Sequence, residues 1–471
     1  MNIIGLIIIN FFVISVESSH FRGASFSWAP MSSGSIKVDY RISWRRSDNN
    51  HNCDDNTIAS GTTNMEGDLC SDYDCFLLEY YCTDYSEVDD WTSGRNTLYI
   101  NPPTSKFDLI FDGNDWVVAS GWSLLITVDL TPRLDNGFIN SSPTVDYPPV
   151  VNLQYGCKHS IIFPIYDVDG DIIRCRWASG KNECDSVCRE TYNALPSAVL
   201  DQNDCKIAYT ATDQVGLYPL AIQAEDFMKS SPKVPLSSIP IQFVVNIYDV
   251  NYGSCDTGPT FVSPTPDTGE CFSVDVGEQL TINITVTGIT RLNSIETTSV
   301  IGMQRSAVTT WFDGVSYYMS VLVNWTPTSE ADGQDHSLCF SARDTNGRYS
   351  DTRCINIPVG APIPTAVERN GTTNSWNIVF DRTFSLPESY VELPVVETRT
   401  GSVVFTLDTG DPTYVTYFPT SKNMHVTFDF AFDPTEDYYV IIPEGLVRSI
   451  GNCPALSLVK ESSFWTIEIG I

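Results

Sequence analysis

Histidine is scarce in this chain, five in 471 residues, and none stands in an HExxH arrangement or at short metal-ligand spacing. Zinc-protease chemistry therefore has no ligand set here. A nucleophile elbow, G-x-S-x-G, and a phosphate-cradling P-loop are also missing. No CxxC pair occurs among the fourteen cysteines, which excludes zinc ribbons and thioredoxin-like redox chemistry. Basic residues are few, 27 Lys and Arg against 58 Asp and Glu, for a net charge of −31. Such a balance repels nucleic acid and anionic membranes and favours cations and basic partners. The acid is spread rather than gathered into runs. With so many carboxylates any glycosidase-like pair can be imagined, so the pairing has no specificity, and the chain reads as non-enzymatic. No convincing amphipathic helix pattern is present, and beyond the N-terminus no stretch approaches the apolar length of a membrane span.

What is there is β-pattern. Ile36, Val38, Tyr40, Ile42 and Trp44 alternate with Lys37, Asp39, Arg41, Ser43 and Arg45, a strand with one apolar and one polar face. Ser25–Trp28, Phe107–Phe111 and Ser123–Val128 read as further strands, as do segments at 376–380, 402–407, 424–428 and 438–442. Trp28, Trp44, Trp177, Trp325 and Trp376 sit in such alternation and read as core anchors. Two stretches share one template. The first carries Ile207, Tyr209, Thr210, Thr212, Gly216, Leu220, Ile222, Ala224 and Asp226. The second carries Val323, Trp325, Thr326, Thr328, Gly333, Leu338, Phe340, Ala342 and Asp344. Repetition of a strand-turn-strand unit predicts tandem sandwiches.

Length predicts three or four domains. Residues 1–18 read as a signal peptide: an apolar run from Met1 to Val16, then a small-residue cleavage site. The expected units are 19–144, 145–250, 251–360 and 361–471, with Pro-rich linkers at Asp146–Pro149 and Ala361–Pro364. A Cys-rich acidic insert at about 53–91 reads as a stapled loop in the first. The C-terminal strand-like stretch is too short for a lipid-anchor tail. Fourteen cysteines in a secreted chain are expected to pair. Cys339 and Cys354 flank Asn346-Gly347 symmetrically and form a candidate cross-strand bridge, and the other pairings stay open.

The repeat pair resembles the Ig-like and cadherin-like sandwich repeats of extracellular proteins. Ala224-Glu-Asp226 and Ala342-Arg-Asp344 are similar to the cadherin A-x-D element, and Asp249-Val-Asn251 to the start of its D-x-N-D linker, from which the chain departs at Tyr252. The last unit, through Tyr438–Val447 and Ser449–Asn452, resembles bacterial-type Ig-like domains of surface and adhesive proteins. The N-terminal Ser19–Gly23, with Ser27, Trp28 and the strand at 40–46, resembles the start of secreted multidomain proteins of invertebrates. These resemblances imply an all-β fold of tandem sandwich domains.

The sharpest local motif is Asp167-Val-Asp-Gly-Asp171. Asp167, Asp169 and Asp171 around a glycine turn supply hard oxygen ligands of the kind calcium takes, although position twelve of an EF-hand would be Ala178. Asp226 completes the set if its strand end lies at the same pole. Asn140, Asn283, Asn324 and Asn370 are N-glycosylation acceptors in Asn-x-Ser/Thr context. The expected protein is a secreted glycoprotein of matrix, adhesion or recognition, with an extracellular protein or glycan as partner and calcium as its only cofactor. One alternative is an acidic, calcium-associated organic-matrix protein of a biomineral. Another is a glycan-binding or receptor ectodomain.

Overall fold

The computed structural model describes residues 21–449 except 32, 48–51, 62, 118, 136, 193, 230, 251–254, 256–257, 371–373, 388 and 420, together with 456–457, 460 and 464–467. The expected signal peptide and residue Asn251 of the linker motif lie outside the described residues. The protein is all-β, built as tandem Ig-like sandwiches, and the helices among the described residues are single turns such as Asp55–Ser60 and Lys181–Cys184.

The N-terminal unit starts from the strand with the clearest alternation. Ile36–Trp44 buries Ile36, Val38, Tyr40, Ile42 and Trp44, and it pairs with Phe21–Pro30 on one side and Trp91–Ile100 on the other. The ladder continues through Cys75–Ser86, Thr63–Cys70, Lys106–Trp116 and Ala119–Asp129. The 53–91 insert is therefore two sheet strands and a helical turn rather than a loop. Leu78, Tyr80 and Cys82 point into the core at every second residue while Leu77, Glu79 and Tyr81 face out. Its four cysteines pair locally, Cys53 with Cys82 and Cys70 with Cys75.

This ladder does not end inside the first unit. Ser237–Tyr248 pairs with Ala119–Asp129 at Ser238↔Thr127 and with Phe21–Pro30 at Ala24↔Gln242 and Ser25↔Ile241. A strand more than a hundred positions downstream thus closes the ring of staves, which removes both open edges. The same strand then carries the second unit: Gly216–Phe227 and Ile172–Trp177 follow outward, and Val150–Gln154 lies parallel to it. One apolar core runs from Phe21 to Ile247 across position 144/145 and takes in Cys339 and Cys354 further along the chain. The segment expected to be a linker there is buried, with Asp146 at 3 % and Tyr147 at 7 % exposure.

The third unit packs Thr260–Val262, Leu280–Gly288 and Tyr317–Trp325 against Leu292–Thr298, Asp335–Asp344 and Arg353–Pro358 around its own core. In both copies of the repeat the two template strands fall in different sheets. Lys206–Thr210 and Gly216–Phe227 are split in this way, and so are Tyr317–Trp325 and Asp335–Asp344. The fourth unit has two four-stranded sheets about a third core that holds Trp376, Phe428 and Trp465.

The polar face of Ile36–Trp44 is not uniformly solvated. Lys37 and Asp39 pair at the surface, but Arg41 and Ser43 are buried, Arg41 against Ser299 of the third unit and Ser43 donating to Ser93. Arg41 lies 3.6 Å from Asp84 and 3.8 Å from Asp146, and donates at 2.7 Å to the Ser299 carbonyl. Arg95 pairs with Asp146 and donates to the same carbonyl. Asp84 accepts from the Ser299 N–H and from the Thr297 and Ser299 hydroxyls. A buried charge is tolerated when it is paired, and these groups pair across units, although Arg41 Nε and Arg95 Nη2 face Asp146 as ion pairs without a hydrogen bond. Nearby, Ser86 donates to Glu296, and the Tyr349 hydroxyl donates to Asp89.

Disulfides add local fixation. Cys157–Cys255 reaches from the second unit to the start of the third, Cys175–Cys205 and Cys184–Cys188 lie within the second, and Cys339 and Cys354 are joined directly across paired strands.

Candidate metal centre

The turn Asp167–Asp171 joins the short strand Ile165–Tyr166 to Ile172–Trp177. Two Asx-type bonds shape it: Asp167 Oδ1 accepts from the N–H groups of Asp169 and Asp171. Gly170 completes the turn at φ +72°, a conformation in which a Cβ is costly. Ile173 pairs with Asp226 in register, so the last residues of Gly216–Phe227 are held against this turn. Carboxylate oxygens of Asp167, Asp171 and Asp226 consequently lie within 4.8 Å of one another.

The neighbours define the electrostatics. Asp226 is fully buried; its Oδ1 accepts from the Ser237 N–H and hydroxyl, and its Oδ2 accepts from Asn140 Nδ2 at 2.6 Å. Arg133 forks onto both oxygens of Asp171 at 2.5 and 2.7 Å, also pairs with Asp135, and donates to Asn140 Oδ1. Asp169 accepts from the Ser141 N–H. Asp167 Oδ2 is the exception. It is buried and has no hydrogen-bond partner.

Three carboxylates, Asp135, Asp169 and Asp171, thus lie on one guanidinium, and Asp167 and Asp226 adjoin Asp171. Burial, offset in part by the Asn140 and Ser237 bonds, pushes the Asp226 carboxyl up to about 7. Burial, reinforced by the charges of Asp226 and Asp169, raises Asp167 well above the carboxylate range. Burial also raises Asp169, against the Ser141 bond. Burial works against the Arg133 charge, and its bonds to Asp171 and Asp135 overcome it. Buried like charges of this kind favour a bound proton or a cation over the bare carboxylates. The donor set fits a hard divalent ion at Asp167 Oδ2 and Asp226, with Asp171 shared with Arg133.

The second copy of the repeat is arranged differently. Asp344 Oδ1 accepts from the N–H groups of Asn346 and Arg348, and its Oδ2 accepts from Arg348 Nε and the Thr290 hydroxyl. Its carboxylate is satisfied by a buried ion pair with Arg348.

The sequence pointed to Asp167, Asp169, Asp171 and Asp226 but not to Arg133, Asp135 or Ser237, which carry no local motif. The Asn-x-Ser context predicts an accessible glycan acceptor at Asn140, and the structure corrects that expectation. Its side chain is 2 % exposed and its amide nitrogen is engaged by Asp226. Asn283 is half-buried with its Oδ1 accepting from the Ser320 and Thr285 hydroxyls, Asn324 is half-buried and bonded to Thr281, and Asn370 is exposed. Of the expected core tryptophans, Trp28, Trp44, Trp325 and Trp376 are buried, while Trp177 is half-buried beneath the Arg189 guanidinium.

Residues 22–119 match the family model of the N-terminal region of integrin beta-like proteins A–E. No curated protein matches the chain. Among solved structures, the titin I-band fragment I67–I69 is 10 % identical and aligns over 68 % of this chain and 99 % of its own, at a TM-score of 0.20. The complex of Dpr2 Ig1–Ig2 with DIP-Theta Ig1–Ig3 is 8 % identical over 72 % of this chain and 99 % of its own, at 0.17. The sialic acid-binding region of a Streptococcus sanguinis SK1 adhesin is 13 % identical over 52 % and 80 %, also at 0.17. Superpositions this low carry no functional argument, and the match over residues 22–119 is what the comparisons contribute.

Proposed function

We propose that this chain is a secreted, non-enzymatic glycoprotein of extracellular adhesion or recognition, a rigid body that holds its loops in fixed relation. The observation that carries the reading is the fusion of units: a ring of strands closed by Ser237–Tyr248, and the hydrogen bonds that join Arg41, Arg95 and Asp84 to the Ser299 backbone. Fixed loops bind without an ordering cost, which is how a recognition surface gains affinity. The disulfides suit an oxidising compartment, and the match to an integrin beta-like N-terminal region supports an adhesive role. Calcium is the cofactor of this reading, held by Asp167, Asp171 and Asp226 with Asp169 at the rim, where it offsets buried negative charge at the seam of the first two units.

Two measurements test it together. Cells are plated on surfaces coated with the secreted protein, native or heat-denatured, with calcium or chelator. Calcium is also titrated calorimetrically into the soluble chain. Adhesion to the native coat alone, with one or two tight calcium sites, is the expected result. Many weak sites and no adhesion would replace this reading with the mineral-matrix one.

A further inference from the structure

The third unit presents an outer sheet face that carries no charge. Ile282, Ile284 and Val286 of Leu280–Gly288 turn inward together with Met319, Val321 and Val323 of Tyr317–Trp325. The alternate positions of these strands and of Thr309–Phe312 face outward, and their side chains are Thr, Asn, Ser, Leu, Tyr and Trp only. In a chain with 58 Asp and Glu, a face without one suits a neutral occupant and not a basic partner.

Asn283 stands on this face in an Asn-x-Thr context. Its Oδ1 accepts from the Ser320 hydroxyl at 2.8 Å and the Thr285 hydroxyl at 3.1 Å, and its Nδ2 makes no hydrogen bond among the described residues. The amide is thus anchored by its oxygen, while the nitrogen that takes a glycan stays open. Four residues along the same strand, roughly 13 Å away, Thr287 lies opposite Tyr318. Trp311 pairs with Tyr318 from the other side, and the two rings stack with centroids 5.0 Å apart and planes within 3°. Rings stacked across neighbouring strands stand side by side, so the second face of Tyr318 looks over Thr287, whose side chain is short. The Tyr318 hydroxyl donates to Asp313 at 3.0 Å, which holds the ring in place.

We propose that this face is the seat of the N-glycan on Asn283. Its first N-acetylglucosamine packs against Leu322, directly opposite Asn283 and 37 % exposed, and the following rings run over Thr285 and Thr287 onto the free face of Tyr318. Pyranose C–H groups are attracted to the negative face of an aromatic ring, and sugar hydroxyls both donate to and accept from the threonine hydroxyls. Asn324 shares the face but lies on the strand of Tyr318 itself, away from the open side of that ring. A glycan held in this way covers Trp311 and Tyr318 and keeps this side of the third unit out of protein contacts.

The proposal rests on the glycoprotein reading, and the two fail separately. The full chain is secreted from cells that add only high-mannose glycans, with Asn324→Gln so that no neighbouring glycan interferes. Native protein is digested with endoglycosidase H, and the rate at each site is read by glycopeptide mass spectrometry. Cleavage at Asn283 should be at least tenfold slower than at the exposed Asn370. Tyr318→Ser should bring the two rates together. Because that change also releases Asp313 and Trp311, Thr287→Tyr is the second variant. It fills the space beside Tyr318 from the protein's own side, and should free the glycan equally while the protein stays folded by its melt. Absence of glycan from Asn283, Asn324 and Asn370 alike in the parent would refute the glycoprotein reading and this proposal with it. Four outcomes would overturn this proposal alone: an unmodified Asn283 beside a modified Asn370, equal cleavage at the two sites, protection untouched by both substitutions, or protection lost on dilution, which would give the face to a second copy of the chain.

Discussion

Asp167→Asn is the most informative single substitution, because it separates a metal site from a merely acidic turn. The new amide keeps the oxygen that accepts from the Asp169 and Asp171 N–H groups and places a nitrogen where Oδ2 now has no partner. Two full charges within 4.8 Å repel by about 3 kcal/mol at an effective dielectric of about 20, which sets the scale of relief. The Asp226 carboxyl is also raised, from 3.8 to about 7, chiefly by its own burial, and it adds to the pH dependence of both proteins. A carboxyl whose folded pKa lies above its unfolded value holds its proton more tightly when folded. Stability therefore falls as pH rises from about 4 to about 7, and stays low above that. In chelator at pH 7.5 the variant should be more stable than the parent by about 2–3 kcal/mol, a rise of about 5–10 °C in Tm for a body of this size. At pH 3, below the unfolded value, the difference should largely vanish, since Asp167 is then mostly protonated in both states. Calcium at a hundred times its Kd should raise the parent by about 2.7 kcal/mol and the variant not at all. Calorimetric melts at both pH values, with and without calcium, read all of this. A variant that melts below the parent in chelator at pH 7.5, or that binds calcium with parental affinity, would refute the reasoning.

Three further outcomes follow from the same structure. Arg41→Ala leaves Asp84 and Asp146 as under-compensated buried charges and should cost about 3–5 kcal/mol by denaturant titration, with Arg41→Met less severe. Removing Cys157–Cys255, which spans a separation of 98, should cost about 4–5 kcal/mol on the chain-entropy account, and removing Cys184–Cys188, which spans 4, should cost least. In protein secreted from a glycosylating host, Asn283→Gln, Asn324→Gln and Asn370→Gln should each remove one glycan by intact mass, whereas Asn140→Gln should leave the glycan count unchanged and lower stability.

Much of the β-architecture was legible because an alternating strand states which residues face a layer. Ile36–Trp44 shows this, and so does the repeat at Leu220 and Leu338. The reading failed where polarity hid alternation: in Cys75–Ser86, outward-facing Glu79 and Tyr81 and the acids around them masked the inward Leu78, Tyr80 and Cys82. It failed again at Arg41 and Asn140, polar residues whose burial depends on what lies over them.

By itself, the sequence determined the strand pattern, the tandem sandwiches and the Asx turn at 167–171, all set by neighbours a few residues apart. Tertiary structure alone decided that Ser237–Tyr248 closes the first unit, that Asp226 and Arg133 meet the turn, and that Asp344 is quenched by Arg348 while Asp167 Oδ2 is not. The reason is range. Local periodicity is written into every few residues, whereas the pairing and desolvation of a charge depend on groups that the fold brings in from a hundred or more positions away.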